Sequence, residues 1–338
     1  MKATQRSGRR IAMALTGITL IVALIGCAGR SASTPIARPT ATRPLATVRV
    51  QTPTPRPSPT PRPTNTLVPT LTVAPTRTPK PSPDLETFAR YMMDLINRDR
   101  QAAGFPPVQW DETAARAAQV HAEEMARYVY LSHWNLDGYG PEHRYNYAGG
   151  RDAVRENVYA YYQRSSTGAG IPIQDWQKAV EEAEEALMQS AGHRDNILQP
   201  SHTHVGIGIG YNPALGEVRI AQEFVDRYVV LDPVPEAVRA GDAVEIAGRM
   251  LPGVSSPLFN LAYEPLPTPM SVAELNKTST YTSRAEVLEA LKPQVEGSRF
   301  RATIRFAESG RPGLYHIRVW VERSGQMIFA ANVIIPLP

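Results

Sequence analysis

Residues 192–210 read GHRDNILQPSHTHVGIGIG. From Val205 to Gly210, branched apolar residues alternate with glycines, which is the two-residue period of a β-strand. One face of this predicted strand carries no side chains, so another element or a ligand can approach its backbone closely. A second strand is predicted from Glu217 to about Phe224, after a turn at Asn212-Pro213. We therefore expect an antiparallel hairpin at this point of the chain.

Helices are predicted upstream of this hairpin. Apolar residues recur at helical spacing in 84–102. Asp111 is a suitable N-cap for a second, alanine-rich helix that reaches about Tyr128. A third helix is expected over 174–189. Helices followed by an antiparallel hairpin indicate an α+β domain, which we assign to residues 84–228.

Charge is distributed unevenly over the 338 residues, which carry 36 basic and 32 acidic side chains. Residues 1–83 contain 12 of the basic side chains and no acidic one, which leaves 84–338 with 24 basic and 32 acidic. A body with this excess of negative charge is a poor candidate for nucleic-acid binding, so we expect no nucleic-acid partner. The single cysteine, Cys27, excludes a fold held together by disulfides and a zinc site built from cysteines.

The N-terminus has the layout of an export signal. Lys2 and three arginines precede an uncharged, largely apolar run from Ile11 to Gly26, which is short for a membrane span. The run ends in Leu24-Ile25-Gly26-Cys27, which resembles the lipobox of bacterial lipoproteins. The resemblance implies that residues 1–26 are removed and that lipid on Cys27 holds the protein on the membrane. An uncleaved anchor helix with an incidental cysteine is the alternative.

Residues 27–83, which begin at Cys27, are predicted to form a disordered stalk. Between Ser31 and Pro83 there are 14 Pro and 13 Thr and no aromatic residue. Such a composition cannot bury enough apolar surface to form a packed core, and its prolines favour an extended chain of ~3.1 Å per residue. A spacer of this kind lifts a domain off a membrane. We therefore expect an extracytoplasmic protein that is lipid-anchored to the cell membrane or displayed at the cell surface.

Short motifs follow one another through residues 84–228: Leu95-Ile96-Asn97-Arg98, Trp110-Asp111, His121-Ala122-Glu123-Glu124-Met125, Ser132-His133, Glu156-Asn157-Val158, Gly192-His193-Arg194 and His204-Val205-Gly206-Ile207-Gly208. This ordered set resembles the bacterial branch of the CAP superfamily, also called the SCP domain. Relatives include the cysteine-rich secretory proteins, antigen 5 and the plant pathogenesis-related proteins. The resemblance implies a three-layer α-β-α sandwich with a surface cleft.

The same resemblance implies which residues line the cleft. In relatives the cleft holds two histidines and two glutamates, sometimes with a divalent metal, and three of these positions fall on His133, Glu156 and His193. The fourth position carries no glutamate here and falls near Gln189-Ser190, which makes Ser190 a candidate. His133 and His193 are the expected metal ligands, because two imidazoles suit a borderline ion such as zinc. The alternative is that His133 and Glu156 only tie loops together by hydrogen bonds.

Several other polar side chains allow two interpretations. Glu182 and Glu184 flank the apolar face of the third helix and either reach the rim of the cleft or lie in solvent. His204 either binds a metal or is simply exposed where a strand begins. His121 lies among the alanines of the second helix and is expected to be structural. His143 is expected in a surface loop.

Residues 229–338 are expected to form a second, β-rich domain after a linker marked by prolines. Ser283–Leu291 is predicted as a short helix. Gly313–Trp320 resembles a late strand of an immunoglobulin-like module, which implies a β-sandwich with a structural or adhesive role. Strand patterns occur at Ala243–Gly248, Arg299–Phe306, Tyr315–Val321 and Met327–Ile335.

Common enzyme motifs are missing from the sequence, which has no GxSxG elbow, no HExxH helix and no phosphate-binding loop. We therefore expect a surface lipoprotein whose CAP domain binds a small apolar ligand, a peptide or a surface protein without catalysis. The alternative is a metal-dependent, peptidase-like hydrolase that uses His133, Glu156 and His193. A third hypothesis is an adhesin whose binding part is the C-terminal domain.

Overall fold

The computed structural model describes residues 84–278, 280–307 and 310–338. The predicted export signal, the lipid attachment at Cys27 and the stalk lie outside the described residues. Over the three described ranges, no helix combines the length and the apolar character needed to cross a membrane.

Aspartate side chains fix where the first two helices begin. α1 (Leu85–Ala102) follows Asp84, whose carboxylate accepts a backbone N–H from three residues downstream at 3.3 Å. α2 (Glu112–Tyr128) follows Asp111, which accepts the N–H of Ala114 at 2.6 Å. Each cap satisfies a donor that the first helical turn leaves unpaired. Both predicted helices are confirmed. Caps and apolar periodicity lie within the helix itself, so the sequence is enough to predict them.

A four-stranded sheet forms the centre of the N-terminal body, the name used here for Leu85–Asp226. Its strand order is β1-β3-β4-β2, and every pair is antiparallel except β1 with β3. The adjacent strands β3 and β4 are the predicted hairpin. The elements after α1 are, in chain order, β1 (Gln109–Trp110), α2, α3 (Pro141–Tyr147), β2 (Ala153–Tyr162), α4 (Trp176–Gln189), α5 (Ala191–Ile197), β3 (His204–Asn212) and β4 (Glu217–Asp226).

The glycine face of β3 lies directly against α2. A Cβ atom on Gly206, Gly208 or Gly210 would collide with the α2 segment that runs from Ala114 to Glu123. On the opposite face, Ile207 and its apolar neighbours pack with α1 and α4 in one hydrophobic cluster. The sheet is therefore covered by helices on both faces, and the close approach that the glycines allow is made by a helix.

Two further four-stranded sheets, of order β5-β6-β10-β9 and β12-β11-β7-β8, follow and share one hydrophobic core. We call them the C-terminal sheets. That their topology is immunoglobulin-like and that a domain boundary lies between residues 228 and 229 both stay predictions. The elements are β5 (Val229–Leu231), β6 (Ala243–Met250), β7 (Ser255–Glu264), α6 (Val272–Leu275), β8 (Glu286–Leu291), β9 (Gln294–Glu296), β10 (Arg299–Arg305), β11 (Gly313–Arg323) and β12 (Gln326–Leu337).

The predicted helix over Ser283–Leu291 is wrong. Residues Glu286–Leu291 form strand β8 instead, which pairs antiparallel with β7. The apolar spacing in this segment is short and ambiguous, and pairing with a strand distant in sequence decides its conformation.

The chain between β7 and β8 crosses onto the N-terminal body. We call residues 265–278 and 280–285 the connecting segment. Leu275 of α6 is fully buried in a cluster with Met125 and Trp134. The Met270 backbone N–H donates to the Leu136 carbonyl at 2.8 Å. The connecting segment thus adds an outer layer to a body that the sequence analysis treated as self-contained.

Candidate functional site

A buried carboxylate, Glu156 on β2, lies at the base of the candidate site. Its Oε1 is 2.8 Å from Nδ1 of His133, and its Oε2 accepts a hydrogen bond from Nη2 of Arg144. A carboxylate can only accept, so Nδ1 of His133 carries a proton, and in the neutral imidazole Nε2 is the acceptor. Burial is the largest influence and acts to raise the pKa of Glu156, but the Arg144 guanidinium, His121 and the hydrogen bond to His133 together outweigh it, and the pKa falls to about 2. Glu156 is therefore a carboxylate at any ordinary pH.

Arg144 of α3 also holds the loop that carries His133. Its Nη1 donates to the backbone carbonyls of His133 at 2.7 Å and Tyr139 at 3.1 Å. His121 of α2 holds the same loop, since its Nε2 lies 2.8 Å from the Ser132 carbonyl. Burial lowers the pKa of this imidazole to about 3. His121 is thus a neutral, buried side chain that fixes the loop, in agreement with its predicted structural role.

His193 of α5 is half-buried and reaches the same site from the other side. Asn157, the neighbour of Glu156, donates from Nδ2 to the His193 carbonyl at 3.2 Å. The Nδ1 atom of His193 is buried and has no hydrogen-bond partner within the described residues. Burial lowers the pKa of this imidazole, which favours its neutral form. A neutral imidazole with a free ring nitrogen can accept a proton or bind a metal.

These side chains border one open cleft of about 640 Å³. The structure brings His133, Glu156, His193 and Ser190 together there. Thr280 and Tyr281 of the connecting segment supply one part of the wall, which the sequence analysis did not anticipate. The cleft is lined by His133, Pro141, Val154, Arg155, Glu156, Asn157, Ser190, Gly192, His193, Asp195, Asn196, Gln199, Thr280 and Tyr281.

Glu182, Glu184 and His204 do not line the cleft, so the interpretation that placed them at its rim or among its ligands is not the one that the structure shows. Glu182 is exposed and accepts a hydrogen bond from the Tyr161 hydroxyl at 2.9 Å. His204 lies at the start of β3 with Nδ1 2.9 Å from the Thr203 hydroxyl. Both side chains point to neighbours on other surfaces of the N-terminal body.

Glu184 neither reaches the rim of the cleft nor lies in solvent, because it is completely buried. Its Oε2 accepts a hydrogen bond from Nε2 of Gln222 at 2.8 Å, and its Oε1 has no partner among the described residues. Burial raises its pKa to about 8. Gln222 in turn accepts from Asn157 at 3.0 Å. A buried polar chain therefore connects Glu184 to the wall of the cleft.

Glu223 on β4 is a buried carboxyl that the sequence analysis missed. It is the register partner of Glu156, and Nη2 of Arg144 lies 3.6 Å from its Oε1. Burial, and then the charge of Glu156, raise the pKa of Glu223 well above its ordinary value. The one available signal was strand alternation, which puts Glu223 on the same face as Ala221 and Val225.

Comparison with known proteins identifies the N-terminal body. Residues 93–230 match the family model described as "CAP: Cysteine-rich secretory protein family". The Bacillus subtilis (strain 168) protein YkwD is 31% identical over 124 residues, which are 37% of this chain and 43% of YkwD. The membrane protein YlbC of the same organism is 27% identical over 123 residues, which are 36% of this chain and 32% of YlbC.

Among solved structures, an extracellular SCP-domain protein from Bacillus anthracis str. Ames is 22% identical with a TM-score of 0.34. The match covers 44% of this chain and 45% of that protein. The chain thus spans less than half the length of the curated relatives it matches. Residues 93–230 form a CAP domain.

Proposed function

We propose that this CAP domain binds a peptide, or a peptide-like part of a surface partner, in the cleft and does not catalyse a reaction. The observation that carries the proposal is the state of Glu156. Both of its oxygens are occupied, one by His133 and the other by Arg144, and its side chain is fully buried. A general base must reach the proton that it removes, directly or through one water. Glu156 therefore acts as a positioning residue for His133.

The cleft lining mixes polar groups with apolar side chains such as Val154 and Tyr281, which suits a peptide. Ser190, Asp195 and Gln199 present hydroxyl, carboxylate and amide groups. Sites for apolar small molecules are lined mainly by apolar side chains with few polar groups. A peptide backbone offers alternating donors and acceptors that match these side chains.

The proposed location is the outer face of the cell membrane. It is supported by the apolar run that ends at Leu24-Ile25-Gly26-Cys27 and by the Pro/Thr-rich residues that follow. Lipid on Cys27 would anchor the chain, and the stalk would lift the CAP domain off the membrane. In this arrangement the C-terminal sheets serve as an immunoglobulin-like structural or adhesive module.

A peptide-array experiment tests the binding proposal. The purified chain is applied to a tethered library of unmodified peptides, and the affinity of the best binders is then measured in solution. Asp195→Ala removes an exposed cleft carboxylate, and we expect it to weaken binding at least tenfold. Asp94→Ala, on the exposed face of α1, is the matched control and should bind like the wild type. Equal affinity in the two variants, or no peptide bound, would contradict the proposal.

A metal-dependent hydrolase is the second candidate, and one observation favours it. His133 is held by a carboxylate with Nε2 free, as histidine ligands commonly are, and the buried Nδ1 of His193 is without a described partner. The donor set therefore fits a zinc ion bound by these two imidazoles. The chemistry supplied there is polarisation of a bound water.

Zinc affinity and turnover separate the two candidates. The wild-type chain and the variant His133→Ala/His193→Ala are titrated with zinc and then assayed on panels of peptide and ester substrates. One zinc equivalent lost in the variant, together with turnover lost in His193→Ala, would establish the hydrolase. A folded wild type with no turnover would leave binding as the function.

A further inference from the structure

The two edges of the central sheet in the CAP domain differ. On the β3 side, beyond the short strand β1, the side-chain amide of Gln119 takes the place of a neighbouring strand. It donates to the Ile209 carbonyl and accepts the Ile209 N–H, both at 3.0 Å. This contact satisfies backbone groups that an edge strand otherwise leaves unpaired. β2 forms the opposite edge, with β4 on its inner side.

The outer side of β2 is open where the cleft lies. Within the described residues, no hydrogen bond from outside the sheet reaches the main chain of Val154–Asn157. These four consecutive residues all line the cleft. Successive side chains of a strand point to opposite faces of the sheet, so a cleft that touches all four must run along the edge of the strand.

Neighbouring elements bound this open stretch at both ends. Just before β2, the edge is covered by β12, where the Asn332 N–H donates to the Arg151 carbonyl at 2.8 Å. Just after the stretch, Tyr281 of the connecting segment packs in the cluster that contains Val158. The open edge is therefore about four residues, or about 13 Å, long.

The strand register shows which backbone groups point outward. In antiparallel sheets, successive residues direct their N–H and C=O groups alternately to the two sides of the strand. The Val225 carbonyl accepts the Thr203 N–H at 2.9 Å, so Val225 of β4 faces β3. Its register partner on β2, Val154, therefore directs its own backbone groups away from β4. By the same alternation, the backbone of Glu156 also faces the cleft.

The two faces of β2 place one imidazole on each side of the open edge. Glu156 binds His133 on the face that lies toward α2. Asn157, on the other face, donates to the His193 carbonyl at 3.2 Å. An extended peptide also alternates its side chains between two faces. Successive side chains of a peptide beside β2 would therefore meet different walls of the cleft.

The wall that contains Pro141 is held in place by the C-terminal sheets. Pro141 begins α3, and His143 of the same helix is 1% exposed. His143 accepts the Gly140 N–H at Nδ1, so its Nε2 carries the proton and donates to Glu264 of β7 at 3.1 Å. The expectation of His143 in a surface loop is therefore wrong, because the C-terminal sheets cover α3. A wall that is fixed before binding reduces the ordering entropy that a ligand must offset.

We propose that a peptide in the cleft lies extended along the free edge of β2 and pairs with the backbone of Val154 and Glu156. This inference rests on the proposed function and specifies its ligand as a short extended segment with free backbone N–H groups. Each of the two outward-facing residues can exchange an N–H and a C=O hydrogen bond with the peptide, about four bonds in all. The peptide thereby adds a fifth strand to the central sheet, and the side chains of the walls select among sequences.

Backbone methylation of the peptide tests this pairing. The best binder from the array described above is trimmed to the shortest peptide that retains its affinity. Its backbone N–H groups are then replaced by N–CH₃ one at a time, which removes a donor and adds bulk at the edge. We expect an alternating result, in which methylation of a residue that faces β2 weakens binding about tenfold or more and methylation of the residue between is tolerated.

A proline substitution tests the same pairing from the side of the protein. Val154→Pro removes an outward N–H but leaves the N–H groups that pair with β4, and edge strands tolerate proline at such positions. We expect it to weaken peptide binding about tenfold. Ala160→Pro is the matched control, because it has the same outward phase on β2 but lies beyond the cleft lining. It should bind like the wild type.

The outcomes separate this inference from the proposed function. Absence of any bound peptide removes both. A peptide that binds and depends on Asp195, but shows no alternation on methylation, overturns only the strand pairing. Equal affinity in folded Val154→Pro and Ala160→Pro does the same. If Val154→Pro does not fold, the methylation series on the wild-type chain decides.

Discussion

Arg144 is the side chain on which the charges beneath the cleft depend. It is almost fully buried, and it contacts both Glu156 and Glu223 while also donating to the carbonyl of His133. Because one guanidinium lies between two carboxyls, the nearer carboxyl, Glu156, is ionised and the farther one, Glu223, keeps its proton. This arrangement explains why adjacent glutamates on paired strands do not repel each other.

Removal of Arg144 should therefore destabilise the protein strongly. Arg144→Met leaves Glu156 buried without a cation, which costs about 3–5 kcal/mol of unfolding free energy. Urea unfolding followed by circular dichroism measures the change. Glu156→Gln in the same background should recover part of the loss, because it removes the stranded charge. A loss below about 1 kcal/mol in Arg144→Met would show that the pair is not buried as described.

Glu184 gives the protein a predictable pH dependence. Its folded pKa of about 8 lies above the ordinary value of 4.5, so between these pH values the native state holds a proton that the unfolded chain releases. The contribution of Glu184 to the free energy of unfolding is therefore fully present below about pH 4.5 and is lost as the pH rises to about 8. Glu184→Gln has no ionisable group at this position, so its stability does not fall in this way as the pH rises. We expect the variant to match the wild type at pH 4.5 and to be roughly 4 kcal/mol more stable at pH 8.

Denaturant midpoints of the two proteins across this pH range provide the measurement. Glu185→Gln, one residue further along α4 on the exposed side, is the control and should show a constant difference. A Glu184→Gln advantage that does not grow with pH would mean that the carboxyl is ionised when buried.

At the scale of elements, the backbones of β3 and α2 approach each other closely. Gly208→Ala would drive a methyl group into the backbone of Ala118, and backbone cannot move aside as a flexible side chain can. We expect a loss of about 1–3 kcal/mol or more in unfolding free energy. Gly192→Ala in α5 has open space around it and should be neutral or slightly stabilising. Equal effects in the two variants would contradict the packing described here.

The connecting segment makes a second prediction at this scale. Leu275 is fully buried against the CAP domain, so Leu275→Ala should cost about 2–5 kcal/mol. Because this contact holds the segment down, limited proteolysis should cut the variant near residues 265–285 faster than the wild type. Leu266→Ala, at an exposed site in the same segment, is the control. Unchanged cleavage in Leu275→Ala would show that other contacts retain the segment.

Local signals explain which elements the sequence could predict. α1 and α2 begin at aspartate caps, and β3 and β4 alternate with a short turn between them, so each pattern is complete within about twenty residues. β8 and the site partner Glu223 depend on strands that are distant in sequence. No local rule distinguishes a buried glutamate from an exposed one when its neutralising arginine lies on another element.

On the scale of the whole molecule, the CAP domain and the C-terminal sheets are packed together. Nδ2 of Asn146 in α3 donates to the Asn332 carbonyl at 3.1 Å, and the Asn332 N–H donates to the Arg151 carbonyl at 2.8 Å. Deletion of residues 229–338 should therefore lower the unfolding temperature of the CAP domain by at least about 5 °C. Calorimetry of the shortened and complete chains tests this. Identical transitions would show that the two parts unfold independently.

The resemblance to CAP proteins indicated the three central cleft positions, but it carried no information about residues beyond 228. The wall supplied by Tyr281 and the covered face of α3 both come from that later part of the chain. Family motifs describe what relatives share. Contacts with a module outside the matched region are visible only in the folded structure.

Tyr281 also makes the cleft depend on how much of the chain is present. His133, Glu156 and His193 all precede residue 229, whereas Thr280 and Tyr281 follow strands β5, β6 and β7. A chain that ends before residue 280 keeps the cleft floor but lacks this wall. The region that matches the family model would therefore present an incomplete site if it were produced alone.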